Sequence, residues 1–402
     1  LLVSCAPPSI LFLNRVFPPD HGATGRLLAD LAGRMAAMGW RVTVVADGGG
    51  PSDPPPGVAV RRAGGSGVAG AASMRTYGAC LARLTAAALR VEHPDVIVTM
   101  TDPPLLALAG PVLAARFGAE GGRPVRLLHW CQDLYPALLP VLGRPVPGLP
   151  VWNRLMGRVL RGYDGVAAIG GCMAARLAGL GVPEDRLTVH PNWADPAVHP
   201  VTDGAFRQRH GIPRTRFVAL YSGTIGLAHP MGAVVDAARR VPAALFVIIG
   251  GGRGAAALER AMGSTPPDNL WRLPLEPAEG VADSLSAADV HLATLDPRAE
   301  GLMVPSKVTA AVAAGRPCLF LGPGGSDAAR LALSGGGAVL PPHDGAALAA
   351  AVTERMAGGG SPMPAAVPLL PPADRAARTL AALMMPDRAG TPQAWRWRAR
   401  HG

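Results

Sequence analysis

Along the chain, short and wholly apolar runs alternate with longer segments in which apolar residues recur every three or four positions. Runs such as Ile10 to Asn14, Arg41 to Ala46, Asp95 to Met100 and Val125 to His129 lack the in-out alternation of a half-exposed strand. They fit strands buried on both faces. The intervening segments predict helices over Arg26 to Met38 (closed by Gly39), Ala71 to Arg90 and Leu105 to Phe117, with a lone strand VAVRRA inside the Pro- and Gly-rich stretch 51–70. Helix Asn153 to Arg161, strand Gly165 to Ile169, helix Cys172 to Gly179 and strand Leu187 to Pro191 complete the series. Between them, Leu134 to Trp152 carries prolines at 136, 140, 145, 147 and 150 and cannot form one regular helix. Regular alternation of strand and helix predicts an α/β fold with a parallel, doubly wound sheet.

The pattern restarts after Pro196, Pro200 and Gly204. Strand Phe217 to Ser222, a glycine turn GTIG (Gly223 to Gly226), helix Met231 to Arg240 and strand Ala244 to Ile249 repeat the opening. The triple glycine Gly250 to Gly252 reads as a strand-to-helix turn. The expected architecture is therefore two similar Rossmann-like domains facing across a cleft that holds the ligand. Residues 1–200 form the first and 201–372 the second, while 373–402 supply a helix (Ala373 to Met384) that packs back on the first domain and then a basic tail.

Length and charge sharpen this picture. At 402 residues, each half can bury a full core. The net charge of +10 implies an anionic partner: a nucleotide diphosphate, a nucleic acid or an anionic membrane face. Five scattered cysteines with no paired metal spacing read as reduced thiols of a cytoplasmic protein. No apolar run of about 18 residues suggests a spanning helix. The opening LLVSCAPPSI lacks a basic start and reads as a short arm before the first strand rather than a signal peptide. In the tail, Trp395 and Trp397 alternate with Arg396, Arg398 and Arg400, which suits either a bilayer surface or a disordered terminus.

Three stretches carry candidate chemistry. In EGLMVPSKVTAAVAAG (Glu300 to Gly315), Lys307 at a helix start is the only lysine, every other member of the 38 Lys and Arg being arginine. A compact ammonium kept against that background suggests a task a guanidinium does not serve. The loop NRVFPPDHGATG is long for a strand-to-helix connection. Its Gly22, Thr24 and Gly25 precede the first helix, where free amides favour an anion or a sugar, although a plain tight turn is the alternative. His129 and Asp133, in HWCQDLYP, fall at a strand end and could contact a sugar hydroxyl or accept a proton. A capping role for His129 is the alternative there.

Together, ILFLNRVFPPDHGATGRLLADLA, HWCQDLYP, HPNWAD, LYSGTIGLAH and EGLMVPSKVTAAVAAGRP resemble the family 4 glycosyltransferases of the GT-B fold, and more narrowly their WbuB-like branch of O-antigen and capsule enzymes. The resemblance implies a retaining, metal-independent transferase without a cofactor. A nucleotide-sugar donor of UDP type would bind the second domain, and a saccharide or lipid-linked acceptor the first. An N-acetylated deoxyhexosamine is among the sugars implied. By position, Lys307 and the amides at Ser306 would neutralise the leaving diphosphate. Glu300, Gly301, Leu302 and Pro305 would hold the donor sugar, with Gly223 and Thr224 against the phosphates. Gly22, Thr24 and Gly25 would approach donor phosphate and acceptor, with His129 and Asp133 near the sugar or the attacking hydroxyl. The implied location is cytoplasmic, peripheral on the inner face of the membrane, with no nucleic acid bound.

Two positions depart from the wider family. Ala310 stands where a ribose-gripping glutamate is usual, and TIGLAH lacks the usual cations after the glycine turn. Lys307 is then the one lysine for the diphosphate, with Arg15, Arg253, Arg272 and Arg298 as possible helpers. A non-catalytic sugar-nucleotide-binding partner is the rival expectation, and a GT-B epimerase a third.

Overall fold

A computed structural model describes residues 7–20, 22–48, 50, 53–65, 74–121, 124–202, 204–358 and 370–384. The basic tail therefore lies outside the described residues. By contact, the chain divides into two units, one made of residues 1–137, 146–192 and 373–402, the other of 138–145 and 193–372.

The first unit begins with β1 (Ser9–Leu13), α1 (Ala23–Ala37), β2 (Arg41–Ala46), β3 (Val58–Arg62), α2 (Met74–Ala88) and β4 (Val96–Thr99). It continues through α3 (Ala109–Gly121), β5 (Arg126–Cys131), α4 (Leu149–Leu160), β6 (Gly165–Ala168), α5 (Gly171–Gly179) and β7 (Leu187–Val189). The sheet is parallel, in the order β3-β2-β1-β4-β5-β6-β7. Strand β1 is buried at every position, as its unbroken apolar run requires in the middle of such a sheet.

The second unit contains α6 (Ala205–Arg209), β8 (Val218–Ser222), α7 (Gly232–Arg240), β9 (Leu245–Ile249), α8 (Ala255–Met262), β10 (Leu270–Leu273) and α9 (Val281–Ser286). It closes with β11 (Val290–Thr294), α10 (Ser306–Ala313), β12 (Cys318–Leu321), α11 (Asp327–Ser334), β13 (Ala338–Leu340) and α12 (Gly345–Ala357). Its sheet is again parallel, ordered β10-β9-β8-β11-β12-β13. Successive residues of β8 and β9 feed opposite cores: Ala219, Tyr221, Phe246 and Ile248 on one face, Val218, Leu220, Leu245 and Val247 on the other. Both faces are thus dry, as doubly wound sheets demand.

Helix α13 (Ala373–Met384) belongs to the first unit by contact. It buries Ala376, Ala377 and Leu380, Arg34 of α1 pairs with Asp374, and the imidazole of His190 meets the Ala376 carbonyl at 3.0 Å.

Several expected boundaries shift for physical reasons. VAVRRA is not a lone strand: β3 pairs in parallel with β2 along its length. Helix α1 starts at Ala23, so Thr24 and Gly25 are inside its first turn rather than before it. Strand β5 runs two residues past His129, because Trp130 and Cys131 are buried and continue the pairing with β6. Helix α4 begins at Leu149, since Pro150 is tolerated in a first helical turn where no amide is required.

Candidate active site

In each sheet the strand order reverses once, between β1 and β4 in the first unit and between β8 and β11 in the second. At such a reversal the neighbouring loops turn away from each other, and ligands settle beyond the carboxyl ends of the strands.

In the second unit, β8 ends at Ser222 and Gly223 turns away with φ 112°, a left-handed conformation that glycine adopts without cost. The ammonium of Lys307, from the first turn of α10, donates to the Thr224 carbonyl at 2.9 Å and lies 4.9 Å from the centre of the Tyr221 ring. Tyr221 donates its hydroxyl hydrogen to the same carbonyl at 3.2 Å. The ammonium thus meets a carbonyl and an aromatic face, not a carboxylate, and burial lowers its pKa to about 8. Pro305 precedes the helix without a side-chain cap, leaving the first amides, those of Ser306 and Lys307, open beside that cation.

From the other side of the reversal, His229 Nδ1 lies 2.6 Å from the Thr294 carbonyl. A carbonyl only accepts, so Nδ1 carries the proton and Nε2 keeps its lone pair. Burial, and then the charge of Lys307, push this imidazole down to about 4, so it is neutral. The Thr294 hydroxyl is buried with no hydrogen-bond partner among the described residues.

The triple glycine is more than a strand-to-helix turn. A Cβ on Gly250 would come within 2.6 Å of the Gly223 carbonyl, and the Ile225 amide donates to the Gly251 carbonyl at 2.8 Å. The two glycine turns are therefore packed backbone against backbone, which fixes the carbonyl that Lys307 holds.

The other expected donor contacts are mixed. Glu300 is half-buried, with a carboxylate oxygen 3.5 Å from where a Gly325 Cβ would stand. Gly301 is buried at φ 69°. The Leu302 amide already donates to the Ala299 carbonyl at 2.9 Å, so it has no hydrogen left for a sugar. Of the arginines named as helpers, Arg15, Arg272 and Arg298 are paired with Asp102, Glu259 and Asp296, whereas Arg253 is exposed in the turn that follows β9.

In the first unit, Arg15 follows β1 and Asp102 follows β4, and their side chains form a two-pronged pair at 2.7 and 2.9 Å across the reversal. The open amides of α1 begin after Gly22, and Gly25 must be glycine-sized because a Cβ would lie 2.9 Å from the Val16 carbonyl. The Thr24 hydroxyl stands 3.5 Å from the Asn14 amide nitrogen. Next along the sheet, His129 and Asp133 line one small pocket with Thr101 and Tyr135. Burial, reinforced by Asp102, raises the Asp133 carboxyl to about 7.

The state of His129 follows from counting protons. Tyr163 donates its single hydroxyl hydrogen to the Ala107 carbonyl at 2.6 Å, so across the 3.0 Å contact it must accept from Thr99. Thr99 has then spent its own hydrogen, and at 2.9 Å it accepts from His129 Nδ1. The ring is left with a bare Nε2, and burial lowers its pKa to about 4. His129 is an acceptor built into the sheet, not a strand cap.

A cavity of about 470 Å³ lies at the opposite, amino ends of the second unit's strands. Its Arg207 is spent on the Ala287 and Arg216 carbonyls and on Asp289, so it braces the fold rather than offering free charge. Among the described residues no group of three or more His, Cys, Asp or Glu could hold a metal ion.

Residues 22–193 match the family described as a glycosyl transferase 4-like domain. That match covers less than half of the chain. It is 30% identical over 162 residues to a protein described as a colanic acid biosynthesis glycosyl transferase, WcaI of Escherichia coli (strain K12), covering 39% of this chain and 40% of that one. It is 29% identical over 279 residues to the probable glycosyltransferase WbjE of Pseudomonas aeruginosa, covering 66% and 67%. Among solved structures, sucrose-phosphate synthase of Thermosynechococcus elongatus aligns over 94% of this chain and 95% of its own, with TM-score 0.69 and 17% identity. Anabaena HepE, solved in complex with UDP-glucose, aligns over 93% and 94%, with TM-score 0.64 and 15% identity. The two Rossmann-like units are those of the GT-B fold.

The sequence singled out Lys307, Glu300, Asp133 and His129 as candidates, but not Tyr221, whose ring lies under the Lys307 ammonium, or His229, which meets the Thr294 carbonyl. Both stand in the LYSGTIGLAH stretch, and their signal was an aromatic and an imidazole flanking a glycine turn.

Proposed function

We propose that the protein is a retaining, metal-independent glycosyltransferase of the WbuB-like branch. It moves a sugar from a UDP-type nucleotide donor to a lipid-linked or polysaccharide-precursor acceptor. The observation that carries this reading is the Lys307 ammonium held under the Gly223–Thr224 turn at the strand-order reversal of the second unit, beside open helix amides. As the bond between sugar and diphosphate breaks, negative charge collects on the phosphate oxygens. A preorganised cation and backbone amides stabilise that charge more than they stabilise the intact donor. Lys307 lies partly desolvated in the free protein, and an arriving diphosphate holds its proton in place.

The acceptor hydroxyl forms the new bond to the sugar, and its proton passes to the departing phosphate oxygen. In the first unit, ionised Asp133 accepts the hydroxyl hydrogen bond that orients this attack, and neutral His129 supports the acceptor sugar through Nε2. Glu300 accepts from the donor sugar hydroxyls, and Arg253 approaches the phosphates. UDP-glucose in the related HepE structure supports the choice of base, and the glycosyltransferase relatives support a saccharide acceptor.

The test is turnover of a panel of nucleotide sugars by Lys307→Ala and Lys307→Arg. Both are expected to fall on the order of 10²-fold or more in kcat. Wild-type turnover in both variants sinks the role of Lys307. One observation favours a second reading, a sugar-nucleotide-binding partner without chemistry: Ala310, in place of a carboxylate, packs against the core and offers the ribose nothing. Nucleotide binding with neither transfer nor slow donor hydrolysis selects that alternative.

A further inference from the structure

Three of the large apolar side chains left in solvent among the described residues fall within five positions on α4: Val151 (65% exposed), Trp152 (39%) and Leu155 (39%). At about 100° per residue they share one arc of the helix. Arg154, Arg158 and Arg161, all exposed, run along the margin of that arc. The opposite side, Met156, Gly157 and Leu160, is buried in the first unit. From Leu134 to Tyr163 the sequence has four arginines and no aspartate or glutamate. Among the described residues, neither Arg154 nor Arg158 enters an ion pair.

We propose that this face of α4 docks on an anionic lipid bilayer. Apolar side chains flanked by the unspent guanidinium groups of Arg154 and Arg158 match the boundary between acyl chains and phosphate headgroups. Val151 and Leu155 sink below the headgroups, the Trp152 indole sits at the boundary, and the arginines meet lipid phosphates. A run of thirty residues with cations and no carboxylate is one-sided, as attraction to a uniformly anionic surface requires. The proposal deepens the reading of a lipid-linked acceptor by naming the surface that brings the protein to it. Vesicle binding is measured without turnover, so failure of this proposal and failure of the transferase reading are separable.

The experiment is co-sedimentation of the full chain with vesicles of phosphatidylcholine, with and without phosphatidylglycerol. Wild-type protein is expected to partition onto the anionic vesicles and lose that binding in high salt. Val151→Ser/Trp152→Ser/Leu155→Ser should lower the partition coefficient at least about tenfold. Arg154→Gln/Arg158→Gln should lower it at least about fivefold, with a weaker salt dependence. All these positions are exposed, so thermal midpoints should stay near wild type, which verifies folding. A folded triple variant that sediments like wild type assigns binding to another part of the chain and overturns the proposal. So does equal binding to both vesicle types, or a wild-type protein that binds neither and self-associates through this face.

Discussion

Lys307 and Thr224 are 83 positions apart, yet the ammonium of one holds the backbone carbonyl of the other at 2.9 Å. That bond ties the start of α10 to the turn after β8, so the charge and the glycine turn form one unit of structure. Loss of Tyr221's hydroxyl tests this coupling. Tyr221→Phe keeps the ring under the ammonium but removes the second hydrogen bond to Thr224. A stability loss of about 1 kcal/mol is expected, with a several-fold rise in donor KM and a smaller change in kcat. Thermal denaturation and donor kinetics read the two effects.

The backbone contact between the glycine turns makes a sharper demand. Gly250→Ala places a methyl group against the Gly223 carbonyl at a φ of 109°, a region that side chains avoid. We expect a loss of about 2 kcal/mol or more from strain and displacement together. Nucleotide affinity should fall with it, as measured by calorimetric titration with UDP. An unchanged affinity in a destabilised variant separates the turn from the donor.

Under the proposed mechanism, Asp133 and Lys307 set the pH window. In the free protein kcat/KM should rise as Asp133 ionises near its raised value of about 7 and fall as Lys307 loses its proton near its lowered value of about 8. The profile is a narrow bell. Asp133→Asn should abolish its lower limb and reduce the maximum on the order of 10²-fold. A lower limb that persists in this variant shows that another group titrates there.

Three imidazoles make folding sensitive to acid. Burial holds His129, His229 and His291 at about 4, against an ordinary value of 6.5. Between those values the unfolded chain takes up protons that the folded one refuses, so this contribution is intact above about pH 6.5 and lost as pH falls toward 4. Each is worth on the order of 3 kcal/mol at the acid end. Asp102 and Asp133, both raised by burial, act in the opposite sense, so the effect is best read as a difference. His291→Gln keeps a donor for the Leu285 carbonyl and removes the titration. Its stability should fall less steeply than that of wild type between pH 6.5 and 4 in urea titrations.

Much of the fold was legible because apolar runs in doubly wound sheets are continuous. Arg41 to Ala46 was delimited to the residue. Helix starts were harder: α1 begins at Gly22 and Ala23, which carry no capping side chain to mark the boundary. The short α6 escaped because five residues cannot display a helical period. In the site, Lys307 stood out by rarity and position. His229 and Tyr221 did not, since their roles depend on contacts with Thr294 and Thr224 that only the folded chain creates. The proton order in Thr99, His129 and Tyr163 likewise joins residues 64 positions apart.

The return of α13 to the first unit has a consequence for how the protein is made. Residues 373–384 are the last described piece of a unit whose other parts end at Asn192. On the ribosome, the second unit emerges whole before the first receives its closing helix. Until then Ala376 and Leu380 have no place to bury, Arg34 lacks Asp374, and the His190 imidazole has no carbonyl at Ala376 to meet. The nascent first unit therefore waits, incomplete, until residues 373–384 have been made, and a chain stopped before residue 373 leaves the seam along α1 open to water.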